Sequence, residues 1–409
     1  MKRVCQYLLV LSLALLGFLP VAAQELIEVK GTVRDYSTGR RMKAVSVSTG
    51  NKQASTVTNE DGEFLIKIPY DQGSLIFTHL GYQTLRMPID DPAREMKVRM
   101  RPETIHLSEI VVESPEDILR TAIERVPVNY PSKADLSYCF YRETTQKGHR
   151  FIYVAEAVTQ MYKTPYKQSV YHDDVSIVKG RRLVSPKQTD TLGAKVQGGP
   201  TLPIFMDVAK NRDYVLSVSE MEKYSFKMEL PERIDGRPQI VISFKPKIVT
   251  DEALYIGKYY IDKATLSITR LDMHLDMSDK EKATRFMLYR KPMGVRFKPY
   301  GLEVLVDYQT TDSVTRMSYV RTRSRFKCDW KRKLFSAPYV VSTEMVVTSR
   351  DTTQTRPPKG RHSFSPRDSY YDHREYFLDE SFWGDYNIIA PTENLNDAID
   401  KLMKKTAKS

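Results

Sequence analysis

Cysteine is scarce here, with three residues in a chain of 409. None forms a C-x-x-C pair, so neither a dithiol redox motif nor a zinc ribbon is encoded locally. Histidine is nearly as rare, at seven. No H-E-x-x-H pair occurs, and there is no G-x-S-x-G elbow, no P-loop and no G-x-G-x-x-G opening a helix. Those absences remove the local signatures of zincins, α/β-hydrolases, P-loop NTPases and dinucleotide-binding folds. Catalytic triads assemble across sequence, so a hydrolase built from scattered residues stays open as an alternative. Long apolar runs are missing too. Beyond the N-terminus none approaches the ~18 residues of a spanning helix, which predicts a mature chain without a transmembrane span.

What the N-terminus does carry is a leader. Lys2 and Arg3 precede an apolar run from Tyr7 to Leu19, and Val21-Ala22-Ala23 supply small residues for cleavage. This predicts a signal peptide over residues 1–23 and an exported protein, with an uncleaved anchor as the alternative. The run falls short of the ~20 residues that span a bilayer. Cys5 lies before it, so Cys5 is not the lipid-bearing cysteine of a lipoprotein. Loss of Lys2 and Arg3 lowers the formal net charge of +12 by two. The remaining excess is spread along strand-like segments and the tail, which predicts a solvated basic surface and no nucleic-acid partner. Weak attraction to anionic lipid or polysaccharide stays open. Cys139 and Cys328 survive processing; an oxidising compartment permits a bridge between them, and two buried thiols are the other outcome.

The N-terminal part is organised around Thr58-Asn59-Glu60-Asp61-Gly62-Glu63-Phe64-Leu65-Ile66-Lys67-Ile68. Asn59 to Gly62 make a polar turn, short side chains bonding their own backbone before a glycine free to take positive φ. Phe64, Ile66 and Ile68 then face one way, and Glu63, Leu65 and Lys67 the other, as in a half-buried strand. Similar short runs recur at Ile27–Val33, Ala44–Ser48, Ser55–Thr58, Ser74–Thr78, Tyr82–Met87 and Met96–Met100, separated by Gly, Asp and Asn turns. That spacing predicts a β-sandwich over about residues 26–102.

Four motifs in order carry a resemblance: Val29-Lys30-Gly31-Thr32-Val33, Ala44-Val45-Ser46-Val47, Thr58 to Phe64, and Gly81-Tyr82. They resemble the carboxypeptidase-regulatory-like domain of Bacteroidetes envelope proteins. The resemblance implies a seven-stranded, transthyretin-like sandwich acting as a non-catalytic accessory module, with Gly31, Asp61, Gly62, Phe64, Gly81 and Tyr82 as its structural motif. Leu107 to Val112 resembles the short strand that follows this module in TonB-dependent receptors, although the chain is too short to add their plug and barrel. The domain's name raises the question of a peptidase. His106-Leu107-Ser108-Glu109 fits H-x-x-E, but on a strand positions i and i+3 face opposite sides and do not converge on a metal. Neither His172 nor His274 sits in a supporting motif, so zinc hydrolysis is not expected.

Ser114-Pro115-Glu116-Asp117 reads as a helix start, with a capping serine, proline at N1 and acids in the first turn. Ile118, Leu119, Ala122 and Ile123 give it one apolar face, and Pro127 to Pro131 end it. Beyond lie long strand-like segments rich in Tyr, Phe, Val and Arg: Leu136–Arg142, Phe151–Met161, Ser169–Val178, Tyr214–Val218, Tyr224–Leu230, Gln239–Lys245, Ala253–Ile261, Leu266–Met277, Thr284–Tyr289, Gly294–Tyr308, Val314–Phe326 and Tyr339–Thr348. The phase slips near Arg270, which predicts a bulge. A meander this long must curl or close to manage its edges.

Ala122–Tyr130, Phe140–Glu143, Glu156-Ala157, Gly257–Asp262 with Ile268–Arg270, and Phe382–Ile389 resemble the large domain that commonly follows the regulatory-like module in Bacteroidetes proteins. The hairpin of Tyr259-Tyr260-Ile261-Asp262, a turn, and a strand reaching Arg270 also resembles the half-barrel of periplasmic lipoprotein carriers, which implies an apolar groove lined by Met273, Leu275 and Met277; an ordinary filled core is the alternative. Residues 351–372 read as a polar loop. His362, Asp368, Asp372, His373 and Glu375 are metal-capable types without metal-site spacing, so no metal and no cofactor are expected. Leu395, Ile399 and Leu402 space as a final helix.

The expectation is therefore a mainly β chain: signal peptide 1–23, sandwich 26–102, linker strand and helix 103–131, and a large antiparallel β domain 132–409, as a curled sheet or half-barrel with a short C-terminal helix. The expected function is a non-catalytic envelope binding or structural protein. Its partner is an envelope protein or a lipid or other apolar ligand, in the periplasm or on the periplasmic face of the outer membrane, with secretion open. The alternative is a hydrolase acting on peptide or glycan through the large domain.

Overall fold

The computed structural model describes residues 26–103, 113–187, 190, 195–196, 199–212, 217–290, 293–330, 336–351, 353, 364 and 383–406. The expected leader with Cys5, the H-x-x-E of His106 and Glu109, and His362, Asp368, Asp372, His373 and Glu375 lie outside the described residues.

Seven strands build the N-terminal module: β1 (Leu26–Asp35), β2 (Ser46–Thr49), β3 (Ser55–Val57), β4 (Glu63–Pro69), β5 (Ser74–Thr78), β6 (Leu85–Pro88) and β7 (Met96–Met100). They form two sheets, ordered β4-β1-β7 and β3-β2-β5-β6. Phe64, Ile66 and Ile68 are buried between them, as the period-2 pattern requires, with Val29, Val33, Val47, Leu75 and Phe77. Gly31 stands opposite Phe64, and a Cβ there would fall 2.6 Å from the Phe64 ring and 2.5 Å from the Met96 carbonyl oxygen. Glycine thus lets the Phe64 ring lie across β1. Gly62 takes a positive φ of 70° in the turn that Asn59 closes by accepting from the Asp61 and Glu63 amides, each at 2.9 Å. Gly81 also takes a positive φ, and the Tyr82 hydroxyl donates to Asp35 at 2.6 Å.

Helix α1 (Pro115–Glu124) follows, with Ser114 accepting from the Asp117 amide at 3.1 Å and Ile118, Leu119 and Ala122 buried. Pro127 does not end the helical path. It sits in the first turn of a second short helix, α2 (Val126–Asn129), where a missing N–H costs nothing.

The remaining strands are β8 (Asp135–Lys147), β9 (Arg150–Lys163), β10 (Asp174–Val184), β11 (Lys195–Val196), β12 (Tyr224–Met228), β13 (Glu232–Ile234), β14 (Arg237–Pro246), β15 (Tyr255–Asp262), β16 (Ile268–Leu275), β17 (Leu288–Arg290), β18 (Val295–Thr311), β19 (Val314–Trp330) and β20 (Ala337–Asp351). All but β11 and β17, which pair with each other, join one antiparallel sheet in the order β10-β9-β8-β20-β19-β18-β16-β15-β14-β12, with β13 beside β14. Among the described residues its ends do not meet, so the sheet is open. The bulge expected near Arg270 is present, where the β15–β16 register shifts between Tyr260 and Ile261.

Helices α3 (Leu202–Phe205), α4 (Val218–Met221), α5 (Lys280–Met287) and α6 (Glu393–Thr406) complete the chain. Helix α5 corrects the strand expected over Thr284–Tyr289. Asp279 caps it by accepting from the Glu281 and Lys282 amides at 2.9 and 3.0 Å, and Ala283 and Met287, four apart, bury one helical face. Only Leu288 and Tyr289 of that stretch extend, at the start of β17. Likewise Val170–His172 forms a 3₁₀ turn before β10, and Val218 opens α4 where a strand was expected to end; residues 213–216 lie outside the described residues. Cys139 and Cys328 are buried and form no disulfide with each other.

The two faces of the large sheet have different covers. Helices α1 and α5 and residues 204–209 pack on the inner face. The sandwich docks on the outer face, where Val57 meets Phe140, Leu305, Tyr319 and Val346. The strap 383–391 threads between them. Asn387 reads both backbone groups of Lys67, at 2.6 and 2.9 Å, Thr56 donates to the Ile388 carbonyl at 2.8 Å, and Arg142 donates to the Ile389 carbonyl at 2.7 Å. Beneath the strap runs a cross-strand row of charge: Arg321, Glu344, Arg142, Glu156 and Arg181 stand opposite one another across β19, β20, β8, β9 and β10. Glu156 is 1 % exposed and takes Arg142 and Arg181, each at 2.6 Å.

A gap of about 70 Å³ at this joint brings half-buried His79 of the sandwich toward Arg270 and Asp307 of the sheet. Burial, reinforced by the Arg270 charge, pushes the His79 ring down to about 4. The joint therefore holds the neutral ring, whereas the unfolded chain protonates near 6.5. This contribution is full above about pH 6.5 and is lost as pH falls toward 4. The thermal midpoint should drop between pH 7 and 4.5, and His79→Gln should flatten that part of the profile; an unchanged slope would contradict the assignment.

Candidate functional site

The inner face is a continuous apolar field. Leu271, Met273 and Leu275 of β16, Val304 and Val306 of β18, Val320 of β19, Met345 of β20 and Ala155 and Ala157 of β9 are all buried in it. Of the stripe expected to line a groove, Met273 and Leu275 are each 1 % exposed, and Met277 packs partly against the same cluster. The face is covered in this structure, and its cover is made of short pieces.

One piece, residues 199–212, spans several strands. The Gly199 amide donates to the Tyr141 hydroxyl and to Glu143, at 3.1 and 3.0 Å, both on β8. The Ala209 amide donates to the Tyr308 hydroxyl on β18 at 3.3 Å. Between them Ile204, Met206, Val208 and Ala209 join the apolar cluster. Small side chains at Ala155 and Ala157 leave depth above β9 that larger residues of the cover have to fill.

Two ion pairs pin this piece, and they cross. The segment gives an acid to one, Asp207 to Lys163 of β9, and a base to the other, Lys210 to Asp173 before β10. All four side chains are at most 5 % exposed. Asp207 also accepts from the hydroxyls of Tyr166 at 2.7 Å and Tyr308 at 2.9 Å. Lys210 donates to the carbonyl and hydroxyl oxygens of Thr164, at 2.6 and 2.8 Å. Tyr130 stacks on Tyr166 at 5.0 Å. Burial lowers the Lys210 ammonium below its ordinary value, with Asp173 opposing, and burial drives the Tyr166 and Tyr308 hydroxyls well above theirs. Desolvation offsets most of the attraction in such pairs, so their main effect is to fix one arrangement of the cover.

No local pattern in the sequence marks this cluster. The sandwich motif residues lie elsewhere, in the sandwich core and turns. His172 is exposed, and His274 is exposed on the outer face. Among the described residues no group of three His, Cys, Asp or Glu is placed to hold a metal.

Residues 29–112 match the profile of the CarboxypepD_reg-like domain family, which bears out the resemblance for the N-terminal module. No curated protein matches the chain. Among solved structures, a DUF1329 family protein from Desulfovibrio piger is 12 % identical with a TM-score of 0.24, covering 58 % of this chain and 92 % of its own. A LolA superfamily protein from Nitrosomonas europaea is 9 % identical with a TM-score of 0.18, covering 58 % of this chain and 94 % of its own. At these scores neither likeness bears on what this chain does.

Proposed function

We propose that this chain is a non-catalytic binding protein of the cell envelope. Its large sheet holds an apolar ligand against the inner face, and the sandwich, fixed on the outer face, presents the assembly to an envelope partner. The envelope address rests on the N-terminal leader. The observation that carries the binding role is the make-up of the cover. A four-residue helix such as α3 has too few hydrogen bonds to stand alone. Segment 199–212 therefore holds its place through side chains, apolar ones over the sheet and two ion pairs at one end. An apolar ligand of similar volume can take over the apolar contacts once those pairs open, whereas a long, continuously packed helix would resist exchange.

The test is a titration of the purified mature chain with the apolar fluorophore N-phenyl-1-naphthylamine, followed by displacement with palmitate. Saturable one-to-one binding is expected, and Ala157→Leu, which fills depth above β9, should weaken it about tenfold, equivalent to about 1.4 kcal/mol. Absence of saturable binding contradicts the reading, and so does turnover of peptide or glycan by the pure chain.

A further inference from the structure

The outward side of the sandwich's β4-β1-β7 sheet gathers positive charge in one corner. Val33 of β1 and Val98 of β7 stand opposite each other in the core, so Arg34 and Arg99, one residue on, stand opposite each other on the outward side. Arg41 bridges to Arg34 from its other flank. The three arginines therefore lie in register across neighbouring backbones, at the ~4.8 Å spacing of strands. Arg101 follows two residues after Arg99, about 6.6 Å along the chain direction. Its guanidinium carbon lies 3.9 Å from the centre of the Tyr36 ring. All four arginines are exposed, and Tyr36 is 47 % exposed.

Carboxylates answer the other bases of this sheet but not this corner. Glu28 takes Lys30 at 2.9 Å, and Asp61 takes Arg41 at 3.3 Å. Glu63 lies across Thr32 from Lys97, and Glu95 stands two residues before it. The acids nearest the remaining arginines in sequence are turned elsewhere. Asp35 accepts from the Tyr82 hydroxyl at 2.6 Å, and Glu103 faces Arg233 at 3.4 Å. Arg34 gives one donor to the Gly39 carbonyl at 3.1 Å. Among the described residues Arg34, Arg99 and Arg101 thus keep their charge without an ion pair.

Like charges directly opposite one another on a sheet repel. This row has no counter-charge within the described fold, so it gains from one supplied from outside. Guanidinium forks suit phosphate oxygens. The donors project side by side from an open strand face, which suits many headgroups in a plane better than one enclosed ligand. Tyr36 adds an amphipathic ring of the kind that sits at headgroup depth.

We infer that this corner docks the protein on an anionic membrane surface, with Arg34, Arg99 and Arg101 on lipid phosphates and Tyr36 at the headgroup boundary. The inference names the sandwich's partner in the binding-protein reading and rests on that reading's envelope address. Palmitate uptake is measured without vesicles, so the two can fail separately.

Co-sedimentation of the full mature chain with vesicles tests it. Vesicles of equal parts phosphatidylglycerol and phosphatidylcholine should bind the chain about tenfold or more tighter than phosphatidylcholine alone. Raising the salt from about 0.1 to about 1 M, which shortens the screening length from about 10 to about 3 Å, should abolish the difference. Arg34→Gln, Arg99→Gln and Arg101→Gln together should cost about tenfold or more. Their loss relieves repulsion, so the thermal midpoint should stay level or rise. Lys245→Gln, Lys247→Gln and Lys258→Gln remove three exposed bases from the large sheet and make the same change in net charge. That control should stay within about twofold of wild type, since it lies outside the docking corner. The inference is overturned if the two kinds of vesicle bind alike, or if the lysine control loses as much as the arginine variant. It is also overturned if polygalacturonate, a soluble acidic polymer, binds through these arginines in preference to the vesicles.

Discussion

Asp207→Ala is expected to destabilise the protein by about 3–5 kcal/mol, the range for removing one partner of a buried ion pair. The change strands Lys163, which is 5 % exposed, and strips the Tyr166 and Tyr308 hydroxyls of the carboxylate they share. Packing loss is a poor explanation for a cost of that size, because aspartate is small. A second variant separates the causes. Lys163→Met combined with Asp207→Leu removes both charges and keeps the volume, and such replacements are often neutral or stabilising. The double variant should therefore recover the part of the loss that comes from the stranded Lys163 charge in urea unfolding, while the part from the Tyr166 and Tyr308 hydroxyls remains. Hydrogen exchange should localise the effect, with faster exchange at 199–212 in Asp207→Ala and little change in β18 and β19. Uniform acceleration across the sheet would contradict the view that these pairs fix the cover in particular.

The second large effect belongs to the joint. Glu156→Ala leaves Arg142, 5 % exposed, without its counter-ion and should cost about 3–5 kcal/mol on the same grounds. Arg142 also holds the Ile389 carbonyl, so the strap should loosen and the sandwich with it. Exchange should rise at β3 and at 383–391 while the sandwich interior stays protected. The acid limb gives a further check. Burial alone would raise the Glu156 carboxyl, but Arg142 and Arg181 outweigh it and hold the group below its ordinary value. Its contribution is therefore complete above about pH 4.5 and disappears as pH falls through the lowered folded-state value. Glu156→Gln, which keeps the shape without the charge, should lose that acid dependence. A Glu156→Ala protein with wild-type urea midpoint would contradict the assignment.

The sandwich was legible in the sequence because its signals are local. Asn59 to Gly62 encode a turn, and Phe64, Ile66 and Ile68 alternate into a core without help from distant residues. The large sheet was legible for the same reason, since its strands are long and rich in β-branched and aromatic side chains. Helix α5 was misread because Thr284 to Tyr289 carries strand-like residues; the cap at Asp279 and the contact of Ala283 and Met287 with the core decide otherwise. The joint was half legible. Phe140–Glu143, Glu156-Ala157 and the segment ending at Ile389 stood out as separate stretches, and only the fold shows that they meet, Arg142 bridging Glu156 and the strap. The cover cluster was not legible at all. Lys163, Asp173, Asp207 and Lys210 converge through strand pairing and chain crossing, and no local pattern separates them from solvated charge.

Occupancy of the inner face is the most direct test. Native mass spectrometry of the mature chain, stripped of lipid and then mixed with palmitate, should show one adduct per protein. Asp207→Ala should acquire and release it faster than wild type. A stripped protein that takes up no palmitate, with Asp207→Ala equally empty, would contradict the account.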